Sequence, residues 1–318
     1  MEFTYAKAGV DIEKENEVIE AITGVIGKKN SVEYNGTRIA MSTDGVGSKI
    51  IVANEMKKWD TLGIDCIAMN VNDLLCVGAK PIAFVDYLAM EKMDAMVAKE
   101  IAKGLEKGAE EAGISIIGGE TATLPEIIKG FDLAGTAVGI IEKELPKNVK
   151  EGDVIVGLKS NGLHSNGFTL ARKVFKENGY SFHDEIDEIG TIGYELLKPT
   201  RIYVKEIEEL WNEVEIKGIA HITGSGLYKL RRMIGDFRFI IDEPFEPQPI
   251  FRVIQKLGNV SEYEMYKTFN MGMGMAIVVS KEESEQAIQI LNRSIEAKAV
   301  GKIGEGKGIE VPKLGIKY

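Results

Sequence analysis

Apolar positions along the chain change period repeatedly, and the changes mark out the elements. Across 94–112, Val97, Ile101 and Leu105 recur at helical spacing, predicting an amphipathic helix that stops at Gly113. Residues 61–77 read as a buried helix with Ile64, Ala68 and Val71 on one face, broken by Pro81. A shorter helical pattern lies near Asp11 to Ile22. Residues 38–43, 82–89, 114–117 and 133–141 have the apolar, aromatic and β-branched content of strands. Pro146 and several charges then interrupt the pattern over 143–152. Beyond them it restarts, with strands at 153–158, 216–222, 237–241 and 275–279 and helices at 166–178, 200–211, 249–257 and 282–291. Two domains are expected, 1–147 and 148–318. The mixed order points to an α/β chain of the α+β kind, not strict βαβ winding.

Composition narrows the class. With 44% hydrophobic and 28% charged residues, the chain fits a soluble globular protein. No apolar run approaches a bilayer span. The first nine residues carry Glu2 and Lys7 without an apolar core, unlike a secretory leader, so a cytoplasmic location is expected and no membrane partner. The net charge is −10 with dispersed basic residues, which argues against a nucleic-acid partner, because phosphate contacts dominate such affinity. The two cysteines, Cys66 and Cys76, fit no metal or redox spacing and are expected as reduced core thiols.

The chemistry concentrates in four segments. Ser42-Thr-Asp-Gly-Val-Gly-Ser-Lys49 sets an acid and a lysine around Gly45 and Gly47, where backbone can approach a ligand closely. Asp73 follows Asn72 on the buried helix, where an uncompensated carboxylate is costly; a salt bridge or a metal would each answer that need. Glu120 follows Gly118-Gly119, as a ligand group or as a turn and helix cap. Asp44, Asp73 and Glu120 converging on Mg²⁺, with Lys49 beside them, would suit phosphoryl transfer, which asks mainly for positioning and charge neutralisation. His164-Ser-Asn-Gly167, bracketed by turn formers, offers a histidine and an amide to a polar substrate, or simply caps the next helix. His221, ending an apolar stretch before Thr223-Gly-Ser-Gly226, reads more as structure than function, and His183 as exposed. The Gly-Ser-Gly segment could offer backbone N–H groups to an anion. The methionines of Phe269-Asn-Met-Gly-Met-Gly-Met275 read as core packing. Neither a P-loop nor a dinucleotide fingerprint is present, so any ATP site is of another type.

Taken together, these segments resemble the phosphoribosylformylglycinamidine cyclo-ligase (aminoimidazole ribonucleotide synthetase) family. The resemblance rests on Tyr5-Ala-Lys-Ala-Gly-Val-Asp-Ile12, Thr43-Asp-Gly-Val-Gly-Ser-Lys49, Asp60-Thr-Leu-Gly-Ile-Asp65, Ala68-Met-Asn-Val-Asn-Asp-Leu74, Gly118-Gly-Glu-Thr121, Asp132-Leu-Ala-Gly135, Gly162-Leu-His-Ser-Asn-Gly167, Pro199-Thr-Arg-Ile202, Ala220-His-Ile-Thr-Gly224 and Glu264 through Gly272, in the family's order. It implies an N-terminal domain whose strands pair across a homodimer into a β-barrel, followed by an α/β C-terminal domain. It implies ATP and Mg²⁺ as cofactors, formylglycinamidine ribonucleotide as substrate, and ring closure through a phosphorylated amide oxygen. Carried onto this sequence, Asp44, Asp73 and Glu120 would hold the metal, with Asp11 and Asp65 as possible additions. Asp44, Gly45, Gly47, Lys49, Asp65 and Asn72 would bind the nucleotide, and His164, Asn166 and Lys49 would carry the chemistry. Leu227-Tyr-Lys-Leu-Arg-Arg232 and Thr121-Ala-Thr-Leu-Pro-Glu126 depart from the family pattern. Sister enzymes fit less well. Selenophosphate synthetase typically has a cysteine or selenocysteine near its N-terminus, and no cysteine precedes Cys66 here. Thiamine-monophosphate kinase would lack the 162–167 loop. A non-catalytic nucleotide-binding module would be expected to have lost acids at 44, 73 or 120.

Overall fold

The computed structural model describes residues 3–27, 29–146, 148–233 and 237–318. Two sheets organise them. The first runs β1-β2-β5-β3-β4, from β1 (Val32–Tyr34), β2 (Thr37–Gly45), β3 (Ala79–Met90), β4 (Ser115–Thr123) and β5 (Phe131–Ile141). Its pairs are antiparallel except β3 with β4, which are joined by a crossover helix as a parallel pair requires. Ahead of the sheet stand α1 (Tyr5–Ala8) and α2 (Ile12–Ile26). After β2 come α3 (Lys49–Met56) and α4 (Leu62–Leu75), and α5 (Ala95–Ala112) makes the crossover. Asp94 caps α5 by accepting from Met96 N and Val97 N, and Gly113 ends it in the left-handed conformation.

One face of this sheet packs on α4. There Ala40, Phe84, Leu88, Leu133 and Ala137 are buried, and the row Asp44–Gly135–Asp86–Gly119 crosses it. Gly135 is required by close approach: a Cβ there would lie 2.0 Å from Phe84 Cζ. Gly135→Ala is therefore expected to destabilise by about 3 kcal/mol or more, as overpacking at a rigid ring does, which urea unfolding would measure. The opposite face exposes Met41, Val85, Tyr87 and Ile117, and α2 exposes Val18, Ile22, Val25 and Ile26.

The second sheet runs β14-β13-β10-β12-β6-β11-β9. Its strands are β6 (Val154–Lys159), β9 (Gly218–His221), β10 (Arg238–Ile240), β11 (Met273–Val279), β12 (Ala297–Gly304), β13 (Gly308–Val311) and β14 (Ile316–Lys317), with β7 (Glu185–Ile186) and β8 (Gly190–Thr191) forming a separate hairpin. Every residue of β11 is buried, which explains its continuous apolar run. Helices α6 (Phe168–Glu177), α7 (Ile192–Leu196), α8 (Val204–Trp211), α9 (Leu230–Met233), α10 (Pro249–Gly258), α11 (Glu262–Thr268) and α12 (Ser284–Leu291) complete this half.

Most long elements lie where the pattern predicts them, and three differences are informative. Pro81 does not end a helix next to a strand; it lies inside β3 at a register irregularity between Pro81 and Ala83. The strand expected over 114–117 continues to Thr123, so Gly118, Gly119 and Glu120 are strand residues, not a turn and cap. Helix α3 and strands β12 to β14 were not predicted. Cys66 is buried, Cys76 is half-buried at the end of α4, and both are free thiols. Met271, Met273 and Met275 are core residues, as expected, and His183 is exposed. The expected domain division after 147 falls at a position outside the described residues. No helix among the described residues is long and apolar enough to cross a membrane.

Candidate active site

Helix α4 turns one stripe toward the second half of the chain. Asp65, Met69, Asn72 and Asp73 recur at i, i+4, i+7 and i+8, the spacing of a single helix face. Asp65 Oδ1 accepts from Thr200 N (2.7 Å) and Thr200 Oγ1 (2.6 Å). Asn72 donates to Arg201 O (2.9 Å) and accepts from Tyr203 N (3.0 Å). Its amide also lies 3.4 Å from His221 Nε2, and His221 Nδ1 pairs with Asp73 Oδ1 at 2.9 Å. The Pro199-to-Ile202 segment is thus tied across α4 by side chains of α4 itself.

Three residues carried over as ligand or catalytic groups occupy this internal framework instead. Lys49 is fully buried, ion-paired to Asp65 Oδ2 at 2.7 Å, and donates to Lys198 O (2.7 Å) and His164 O (3.2 Å). An ammonium has three donors, so Lys49 has none left for a phosphate. Burial pulls Lys49 below and Asp65 above their ordinary values, each pull opposed by the other's charge. Asp65 and Asn72 are fully buried, with partners in the protein. Ligand-binding and buried framework polar residues look alike in a motif, and the structure shows these three paired within the protein.

The expected metal triad is also divided. Asp44 shares the α4-facing side of the first sheet with Asp86, whereas Glu120 is exposed on the opposite face, in register with Tyr87, Ala134 and Gly45. Two strands separate β2 from β4, placing these backbones roughly 14 Å apart. Among the described residues no three acidic, histidine or cysteine side chains cluster closely enough to hold a metal. Asp11 caps the first turn of α2, accepting from Lys14 N at 3.3 Å.

What does converge is a different group. Asp44, Asp73, His221 and Lys229 lie within one another's electrostatic influence. Burial pushes the Asp44 carboxyl up; the Gly45 N–H it accepts (2.7 Å) pulls the other way, and the Asp73 charge adds to the rise. For Asp73 burial also pushes up, but the His221 hydrogen bond with the charges of His221, Lys229 and Arg232 outweighs it and holds the carboxyl below its usual range. Burial draws Lys229 down, with Arg232 adding to the fall while Asp73 and Asp44 oppose it. Gly47 has φ +69°, which turns the chain from β2 into α3 beside these acids.

The His164 loop faces the same region. His164 is a non-glycine residue at φ +64°, nearly fully buried, with the Asn161 N–H pointing at Nε2 from 3.5 Å. That contact leaves the proton on Nδ1, which has no hydrogen-bond partner. Burial, followed by the charges of His221, Lys49 and Arg201, holds its basicity well below the ordinary histidine value, so the ring is neutral near pH 7. Asn166 lies 3.8 Å from Met69 Sδ through Nδ2, and a Cβ on Gly224 would lie 3.0 Å from Asn166 Oδ1. The loops after β6 and β9 and the stripe of α4 therefore meet at one place. His221 is buried with both ring nitrogens beside protein partners, and Lys229 stands near Asp44 and Asp73. The position of His221 just ahead of Thr223-Gly-Ser-Gly226 is the signal that marks it, while Lys229 lies in the segment that departs from the family pattern. Asp86, half-buried and pushed up chiefly by burial, carried no local signal.

The pairing of a mixed first sheet with a largely antiparallel second one, and a site where α4 meets the loops after β6 and β9, defines a two-domain α/β enzyme scaffold. The family described as AIR synthase related protein, N-terminal domain, matches residues 27–141, and its C-terminal domain counterpart matches 150–313. A phosphoribosylformylglycinamidine cyclo-ligase of Methanococcoides burtonii is 50% identical over 333 residues, covering 98% of each chain. That of Methanocaldococcus jannaschii is 47% identical, covering 99% of this chain and 97% of its own. The chain belongs to the phosphoribosylformylglycinamidine cyclo-ligase family. The fold extends to more distant solved proteins: a chain of a HypE–HypF complex (TM-score 0.68, 18% identity, 95% of this chain and 97% of that one) and thiamine monophosphate kinase of Aquifex aeolicus (TM-score 0.67, 14%, 96% and 98%). A structure of HypE in complex with ATP aligns at TM-score 0.62, with 18% identity over 92% of this chain and 88% of that one.

Proposed function

We propose that this protein is an ATP-dependent ligase that closes formylglycinamidine ribonucleotide to aminoimidazole ribonucleotide, releasing ADP and phosphate, in purine biosynthesis in the cytoplasm. The observation that carries the reading is the meeting of the Asp44–Asp73–His221 group with the His164–Asn166 loop, in a chain about half identical to cyclo-ligases over nearly its full length. An amide oxygen is a poor leaving group. Transfer of the ATP γ-phosphoryl to the formyl oxygen makes it a good one; the amidine nitrogen then attacks the same carbon and phosphate departs with that oxygen. Closure is intramolecular, so holding the two ends together supplies much of the acceleration.

The residues divide that work. Asp44 and Asp73, one desolvated and one held ionised, fit a divalent cation arriving with ATP, and Mg²⁺ there would neutralise phosphate charge. Lys229, in place of Lys49, is the cation beside these acids. The partnerless Nδ1 N–H of His164 donates to the oxygen that gains charge, and the Asn166 amide orients the substrate. Glu120, on the exposed face with Met41, Val85 and Tyr87, belongs to a surface that a second copy of the chain would cover, giving the homodimer with paired sheets.

The test is an assay with formylglycinamidine ribonucleotide and Mg²⁺-ATP that follows ADP and the diazotisable aminoimidazole together. Equal amounts of both are expected; ADP without aminoimidazole would reject the cyclo-ligase in favour of a sister activity. Sedimentation at micromolar concentration is expected to give a dimer, and Val85→Lys with Tyr87→Lys a monomer.

A further inference from the structure

The sequence places Lys49 in a glycine-flanked motif of the kind that cradles phosphate, yet its ammonium reaches neither solvent nor any open site. Its three acceptors come from separate parts of the chain: Asp65 Oδ2 on α4, and the main-chain oxygens of Lys198 and His164 in the second half. The charge lies 5.6 Å from the centroid of the Phe168 ring. On the other side of the same turn, Ser165 Oγ donates to Val46 O at 2.8 Å. The His164–Ser165 dipeptide is thus stitched from both ends of the 46–49 turn. A non-glycine residue in the left-handed region costs on the order of 1–3 kcal/mol and persists where its surroundings over-determine it. The bonds at Lys49 and Ser165 provide that determination. A buried ion pair is a poor source of net stability, since desolvation offsets most of its attraction, so geometry is the better account of its presence.

We propose that Lys49, held by Asp65, is a positioning residue for His164: it fixes the carbonyl and rotation of the His164–Ser165 backbone and with them the place of the imidazole. The proposal rests on the cyclo-ligase reading for its consequence in turnover, but its structural part can be read without activity. The knot couples the turn after β2 in the first sheet to the loop after β6 in the second, so both halves must be seated for the ring to be aimed.

The decisive variant is Lys49→Met with Asp65→Asn, which removes both buried charges and keeps an oxygen for Thr200. Lys49→Met alone would strand a buried carboxylate and is expected to unfold the chain. The double variant is expected to melt cooperatively with an unchanged KM for ATP. Its kcat is expected to fall about 100-fold, the cost of a misplacement near 1 Å. In a His164→Ala background the same pair of substitutions should change kcat little, because its effect runs through that ring. An unchanged kcat, or an equal fall with and without His164, overturns the proposal. If the double variant does not fold, Ser165→Ala with Thr200→Val loosens the same knot without stranding a charge, and is judged by the same coupling to His164. Should the wild type fail to form aminoimidazole, the cyclo-ligase reading falls alone. The positioning role is then judged by NMR: the His164 ring resonances must shift in the variant while those of exposed His183 stay, and unmoved His164 resonances overturn it.

Discussion

His164→Ala is expected to lower kcat for ring closure by about 100- to 1,000-fold, the loss that follows removal of one preorganised donor to a developing oxyanion, with the KM for ATP unchanged. The expectation follows from the Nδ1 N–H of the ring, which no protein group accepts and which a charged oxygen admitted to the loop would satisfy. A loss of ATP affinity with kcat intact would move the loop to nucleotide binding. The ring also makes a pH prediction. Its folded-state basicity lies well below the ordinary value of about 6.5, so the unfolded chain binds the extra proton first. The neutral ring's contribution to stability is complete above that unfolded value and is lost as pH falls through the lower folded one. Urea unfolding of wild type and His164→Ala should therefore converge on acidification from pH 7. Activity should also persist below pH 6.5, where an ordinary histidine would have become charged.

Asp44→Asn is expected to act oppositely on function and on stability. Turnover at a fixed Mg²⁺-ATP concentration should fall on the order of 100-fold, because the carboxylate that would hold the cation is gone. The ligand-free protein should at the same time melt about 2–4 °C higher at neutral pH. Burial is the largest influence on Asp44, and the neighbouring Asp73 charge adds to it. Its folded pKa is raised, so at neutral pH the ionised group opposes folding; the wild type regains that stability as pH falls through the raised value. The amide imitates the protonated acid and can still accept from Gly45 N. Calorimetry with and without nucleotide measures both effects, and unchanged dependence on Mg²⁺-ATP would remove Asp44 from the cation site. An exchange of stability for a charged ligand site is common where proteins bind phosphates.

Much of this protein is written locally. The α5 helix, with Asp94 before it and Gly113 after it, is determined by apolar spacing, a capping side chain and a left-handed stop, all within one stretch of chain. The buried strand β11 is similarly visible as an unbroken apolar run, and the family follows from ordered motifs along most of the sequence. The loops at His164 and Asp44 were visible too, because the turn formers around them need no distant partner to be recognised.

What the tertiary structure alone decided is which polar residues are paired with one another inside the protein. Lys49, Asp65 and Asn72 carry the chemistry of a binding motif, but beyond the Lys49–Asp65 pair itself their partners lie more than a hundred residues away, at Lys198, Thr200 and Arg201. Glu120 was separated from Asp44 by strand register, since alternate residues of a strand point to opposite faces and the strand ran on through Gly118 and Gly119. His221 meets Asp73 only because β9 brings it there. Spacing along a chain fixes periodicity and turns; burial and charge pairing depend on what long-range packing places opposite each side chain, and no local pattern encodes that.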